Sequence, residues 1–349
     1  MVVLSVFTRC RQVGPVAAVL AVGVTLGFAP TASAAGMPQA EIVATVAVPS
    51  PHQIVVSPPT GRIYVTSEGG TEPIYVLSPT TNTVMATIPV NADHNRNVSL
   101  GVHPATGALF LASDHYDRPG SLSAIDPLTN TITKTVPIGR NPSGLAVNPR
   151  TDKIYIADDD TKLRVVNART LATESVIEVG AGGPAGGVVA VNPANNKVYV
   201  TKGETAAAPA ATKIVDAATN TVAATVPAPN GPDGLVVNPV NGNAYVAGIS
   251  EISVLAAAQN TEVARVPTSS TLSWRRIAAQ PSAGQVWFGV RNGIAVMDPG
   301  SNQVIGTIPL QGKNLRPIAF GAGDRAYVGD TPVGKVHVLR ILNPEYVAN

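Results

Sequence analysis

The stretch Asn141–Asp158, NPSGLAVNPRTDKIYIAD, decides the fold. GLAV and KIYIA are short apolar runs and read as two strands. NPRTD between them is turn chemistry, because Pro fixes φ and Asn and Asp tolerate the conformations of tight turns. Nearly the same hairpin recurs at Val188–Val200, VVAVNPANNKVYV, and at Gly234–Val246, GLVVNPVNGNAYV.

Taking the aromatic of the second strand as an anchor extends the repeat over the chain. The anchors are Tyr64, Phe110, Tyr155, Tyr199, Tyr245, Trp287 and Tyr327, at spacings of 46, 45, 44, 46, 42 and 40. Six residues before them stand Pro58, Pro104, Pro149, Pro193, Pro239 and Pro281, with Gly321 in the seventh copy. A third strand and turn follow, as in LSAIDPLTNT and KIVDAATNT, and then a fourth strand, as in VMATIPV and VIGTIPL. Four short strands per repeat of about 45 residues is the signature of a propeller blade. The seventh copy lacks its T-x-P fourth strand after KVHVLRIL, and EIVATVAVPS, Glu41–Ser50, carries that pattern at the other end of the chain. The expected fold is therefore all-β, a seven-bladed β-propeller of four-stranded antiparallel blades. The N-terminal strand closes the last blade and removes the edge that an open ring would expose.

The first 34 of the 349 residues stand apart. Arg9 and Arg11 precede an uncharged apolar run, Val13–Phe28, and Ala32-Ser33-Ala34 supplies a small-residue cleavage pattern. This is a secretory signal peptide, residues 1–34, to be removed before Ala35. Its apolar run is shorter than the roughly 20 residues that span a bilayer. Residues 35–349 are expected to form a single propeller domain, secreted or periplasmic. The one cysteine, Cys10, leaves with the leader, so no disulfide, thiol nucleophile or Cys metal ligand is expected. The full chain has 24 Lys+Arg against 22 Asp+Glu, and loss of Arg9 and Arg11 leaves 22 against 22. A balanced charge gives no global argument for nucleic acid or an anionic membrane surface.

Copies of the form P-x-G-L-A-V-N-P-x-x-x-K-I-Y-V followed by V-I-D-x-x-T-N-T-V-x-A-T-I-P-V resemble the YVTN-type β-propeller repeat of exported, YncE-like and surface-layer-like proteins. The resemblance covers Glu41 to about Leu342. It implies a fold and export but no one activity, since that architecture carries binding proteins, lactonases, lyases and haem-bearing reductases.

Departures from the repeat mark candidate sites. Five residues before the turn proline position stand Gln53, Ser99, Gly144, Val188, Gly234, Arg276 and Arg316. One residue earlier come His52, Arg275 and Asp233 among others, and two earlier Asn97 and Trp274. Copies three to five carry mainly small residues, whereas copies six, seven, one and two carry polar and cationic ones. The channel mouth is expected to be lopsided, with Trp274, Arg275, Arg276, Arg316, His52 and Gln53 on one half. Arg offers bidentate recognition of a carboxylate or phosphate, and Trp a stacking face. Alternatively these side chains solvate the channel and pair with carboxylates, for which Asp330 is a candidate. Loops around His94, Arg96, His115 and Asp117 gather polar groups near one blade top, without the ligand spacing of a metal site. GAGGPAGG, Gly180–Gly187, precedes a strand and not a helix, so it is no phosphate loop. His103 takes the pre-proline position held by Asn in three other copies and is structural. No G-x-S-x-G elbow is present.

The reading is a non-catalytic propeller that binds an anionic small molecule, glycan or protein at one face of the central channel. It is expected to be a monomer, with no cofactor or catalytic residue. The alternative is a lactonase- or metal-assisted lyase-like enzyme on the same propeller. It would use His94 or His115 as base or ligand, with Arg276 or Arg316 stabilising an enolate or carboxylate.

Overall fold

A computed structural model describes residues 38–68, 72–90, 95–115, 118–158, 161–180, 187–206, 208–268, 277–310 and 315–342, with the side chains of 95–98 left out. The expected leader, residues 1–34, lies outside the described residues. The described elements are 28 strands in seven four-stranded antiparallel sheets. These are the blades of a seven-bladed β-propeller, the architecture that the repeat predicts. The innermost strands are Pro51–Val56, Asn95–Val102, Gly144–Asn148, Val188–Asn192, Gly234–Val237, Ile277–Ala279 and Leu315–Phe320, in blades 1 to 7.

The seventh sheet is ordered so that the N-terminal strand Ala40–Ala47 pairs antiparallel with the C-terminal strand Lys335–Ile341. The ring is thus closed by the strand read from EIVATVAVPS. Beyond the ladder, the Val48 N–H donates to the Gly334 carbonyl at 3.0 Å.

The core consists of seven apolar layers, one at each blade junction. Tyr155, Leu163 and Val165 of blade 3, for example, pack against Val189, Val198 and Val215 of blade 4. All seven aromatic anchors are buried, and each faces the following blade. Alternation on the pleat then turns the residue after each anchor toward the preceding blade, so one strand serves two layers. Every outermost strand carries a register shift at the same place, such as that between Val76 and Leu77 against Val84 and Ala86. A bulge there twists the free edge and discourages edge-to-edge pairing.

The turn chemistry of the opening stretch has a second use. In blade 3 the Asn148 Oδ1 accepts from the Arg150 N–H at 3.1 Å and caps its own turn, while Asn148 Nδ2 donates to Asn196 Oδ1 of blade 4 at 2.9 Å. Asn192 and Asn238 repeat this, donating to the Gly242 and Gly284 carbonyls of the next blade at 2.9 and 2.6 Å. The acceptor always belongs to the left-handed residue of the next turn: Asn196 (φ 57), Gly242 (φ 75) and Gly284 (φ 70). His103 does the same with a ring. Its Nδ1 accepts from the Ala105 and Thr106 N–H groups at 3.2 and 3.3 Å, so Nε2 carries the proton and donates to Asp152 Oδ1 at 2.9 Å. The hydrogen bond from His103, aided by Arg169, holds the Asp152 carboxyl below its ordinary pKa.

His337 lies on the strand that receives the closing strand. Its Nδ1 is 3.3 Å from Thr45 Oγ1. Burial pushes its pKa down, against the attraction of Asp330. A histidine whose folded pKa lies below its unfolded value of about 6.5 leaves stability intact above that pH and removes it as pH falls below. The melting temperature should therefore drop on acidification from about pH 7.5 to about pH 5.5. His337→Gln should reduce that drop, and an unchanged pH profile in the variant would assign the acid sensitivity elsewhere.

Candidate functional site

The two rims of the propeller differ in chemistry. The turn rim, formed by the proline turns and the turns between third and fourth strands, repeats one scheme in blades 2 to 5. The loop rim, where second strands end and inner strands begin, changes from blade to blade. Every buried Asp, Lys or Arg among the described residues lies at the loop rim: Asp114 (6% exposed), Asp158 (1%), Lys202 (4%), Arg316 (7%) and Asp330 (2%). Burying charge is costly unless it is paired and hydrogen-bonded, so this concentration at one rim is informative.

Three of these residues share a column that the sequence reading passed over. Three positions after the anchors stand Ser67, Ser113, Asp158, Lys202, Gly248, Val290 and Asp330. The sequence reading took up the loops that leave the second strands, at His115 and Asp117, and named Asp330, but did not align these exits as a column across the blades. In blade 3, Asp158 Oδ2 accepts from Arg164 Nε at 2.5 Å and from the Gly139 N–H at 3.0 Å, which ties the chain arriving from blade 2 to blade 3. Asp114 Oδ1 accepts from the Asn141 N–H of the same connection at 3.2 Å. Glu204 Oε2 accepts from the Gly231 N–H at 3.0 Å and links blade 4 to the entry of blade 5.

The small residues of the third and fourth copies have a packing cause. A Cβ on Gly144 would sit 2.4 Å from the Gly187 carbonyl oxygen, and one on Gly187 would sit 2.9 Å from the Ala157 Cβ and 3.2 Å from Lys202 Nζ. Ser143 Oγ donates to the Gly187 carbonyl at 3.1 Å. This half of the mouth is tightly packed, and the buried Lys202 ammonium and the Asp158–Arg164 pair give it charge.

On the other half, Arg316 donates through Nη2 to Glu68 Oε1 of blade 1 at 2.9 Å. Its carboxylate partner across the ring closure is thus Glu68, where the sequence suggested Asp330. Gln53 spends its amide on a neighbouring inner strand: Nε2 donates to the Leu100 carbonyl at 3.0 Å, and Oε1 accepts from the Leu100 N–H at 2.7 Å. It therefore clamps blade 1 to blade 2. Next to it, His52 is half-buried. In blade 2 the His115 Nε2 lies 3.1 Å from Ser121 Oγ. Arg96 is placed in the inner strand of blade 2 by its backbone alone. His94, Asp117, Trp274, Arg275 and Arg276 lie outside the described residues. Among the described residues no group of three His, Cys, Asp or Glu could hold a metal ion, and no helix is long and apolar enough to cross a membrane.

No protein-family model matches the chain, and no curated protein matches it. Many solved chains do. One is similar over 84% of this chain and 96% of its own length, with a TM-score of 0.71 and 15% sequence identity: hydrazine synthase of Kuenenia stuttgartiensis. At that identity the likeness is one of fold.

Removing one partner of a buried ion pair costs about 3–5 kcal/mol, because the other charge is stranded. Asp158→Ala should lose that much stability in chemical denaturation, since it removes the buried carboxylate that accepts from both Arg164 Nε and the Gly139 N–H. A loss below about 1 kcal/mol, the value of an exposed pair, would mean that the rim network is a surface feature.

Proposed function

We propose that this chain is an exported propeller of the YVTN type that binds an anionic small molecule, glycan or protein partner at its loop rim without transforming it. The observation that carries this reading is the confinement of every buried Asp, Lys and Arg among the described residues to that rim. Asp158 and Asp114 tie interblade connections there, and the turn rim carries no buried Asp, Lys or Arg among the described residues. Perturbed and buried ionisable groups gather where a protein meets its ligands. The sequence adds Arg275, Arg276 and Trp274 immediately before the inner strand of blade 6, next to Arg316 of blade 7 in register. Guanidinium groups so placed suit carboxylates, phosphates or sulfates, and the indole suits the apolar face of a sugar or planar ring. Export follows from the leader pattern of residues 1–34.

Arg316 already has Glu68, so the sharper probe is Arg276. Calorimetric titration of the purified mature chain against anionic metabolites and acidic glycans should find a binder. A charge-assisted hydrogen bond contributes about 1.5–3 kcal/mol, so Arg276→Ala should weaken that binding by more than about tenfold with the melting temperature unchanged. Arg316→Ala should lower the melting temperature as well. Equal affinity in Arg276→Ala would remove the anionic site, and turnover of a lactone or ester lost in His115→Ala would favour an enzyme.

A further inference from the structure

The junction between blades 6 and 7 departs from the staple pattern at both rims. At the turn rim, Gln280 stands where Asn148, Asn192 and Asn238 stand in their blades. It is 2% exposed, yet neither Oε1 nor Nε2 has a hydrogen-bond partner. Beside it Gln285, 3% exposed, accepts from Trp287 Nε1 at 3.3 Å through Oε1 and leaves Nε2 unpartnered. The turn of blade 7, which faces Gln280 across the junction, also differs from the others. In the other six blades the inner-strand residue opposite the anchor lies nine positions upstream of it, as Ala278 does from Trp287. In blade 7 it is Ala319, eight before Tyr327. The turn of blade 7 is thus one residue shorter than the turns that accept from Asn148, Asn192 and Asn238.

At the loop rim of the same junction, Asp330 Oδ1 and His337 Nε2 are buried without partners. They lie on the face of blade 7 that carries Val328 and Leu339, which pack against blade 6. The corresponding pair in blade 3, Asp158 and Arg164, is joined at 2.5 Å. What spans the 6–7 junction instead is apolar: the shared cluster around Trp287 and Ile318, with the Trp287 and Phe320 rings edge to face at 5.0 Å.

A buried polar group without a partner keeps its desolvation penalty for as long as the junction is shut and loses it once water enters. Five such atoms at one junction lower the free-energy gap between shut and open there. The seam between blades 7 and 1 has the opposite character. It is crossed by the Arg316–Glu68 pair, by Thr331 Oγ1 donating to the Pro51 carbonyl at 2.8 Å, and by apolar packing of the closing strand against blade 1.

We propose that the junction between blades 6 and 7 is the joint at which this ring opens, while the seam between blades 7 and 1 stays shut. Opening requires no ligand, and it would widen the mouth beside Arg316.

Hydrogen–deuterium exchange of the mature chain tests this directly. Amides of Val286–Val290 and Leu315–Phe320 should exchange roughly tenfold or more faster than those of Lys153–Asp158 and Val188–Asn192, their counterparts at the stapled junction of blades 3 and 4. Gln280→Leu, which removes an unmet polar group at similar volume, should slow that exchange and raise the melting temperature. Equal protection at the two junctions overturns the proposal. So does a lower melting temperature in Gln280→Leu, since it would mean that the amide is satisfied in the closed ring.

Discussion

Each blade must hold its neighbour, because a four-stranded sheet with two apolar faces cannot exist alone in water. In blades 2 to 5 the side chain before the turn proline meets this need with one acceptor and one donor, whereas the side chains of Ser57 in blade 1 and Gln280 in blade 6 make no such bond. Its acceptor caps the blade's own turn and its donor reaches the left-handed residue of the next turn. The aromatic layers supply most of the apolar burial but little direction. The staple supplies direction, since it fixes the offset between consecutive inner strands. His103 shows that the requirement is chemical and not tied to asparagine: a side chain that carries both an acceptor for its own turn and a donor for the next will serve.

This scheme explains why the two rims have different freedom. Turns bound into an interblade network cannot vary without loss of a bond, so the turn rim repeats. Loop-rim connections carry no such duty, and there the column after the anchors runs through Ser, Asp, Lys, Gly and Val. Where charge appears at that rim, it either ties connections together, as Asp158 and Asp114 do, or faces the mouth, as Arg316 does with Glu68. The proposed binding site and the proposed opening joint both lie where the repeat is least regular, in blades 6 and 7.

Much of the fold was legible because it rests on local periodicities. The anchor spacing gave the number of blades, and the T-x-P pattern in Glu41–Ser50 gave the closure, since strand alternation and turn residues act over a few positions. The structural role of His103 was also legible from its column. Pairings between copies were not. Gln53 faces the channel column in sequence yet bonds Leu100, 47 residues away, and Arg316 finds Glu68, 248 residues away. Such choices depend on which strands the closed ring brings together. Gly144 and Gly187 looked featureless in sequence, whereas their lack of side chains is what lets two inner strands approach.

The claim on which the rest depends is that the turn-rim staples hold the blades in register. Chemical denaturation of Asn148→Ala, Asn192→Ala and Asn238→Ala measures it. Each variant strands a buried acceptor or the turn amide it capped, which costs about 1–3 kcal/mol. The account predicts a loss of that size in all three, with cooperative unfolding retained. Three variants as stable as the parent chain would contradict it, because the blades would then be held by the aromatic layers alone.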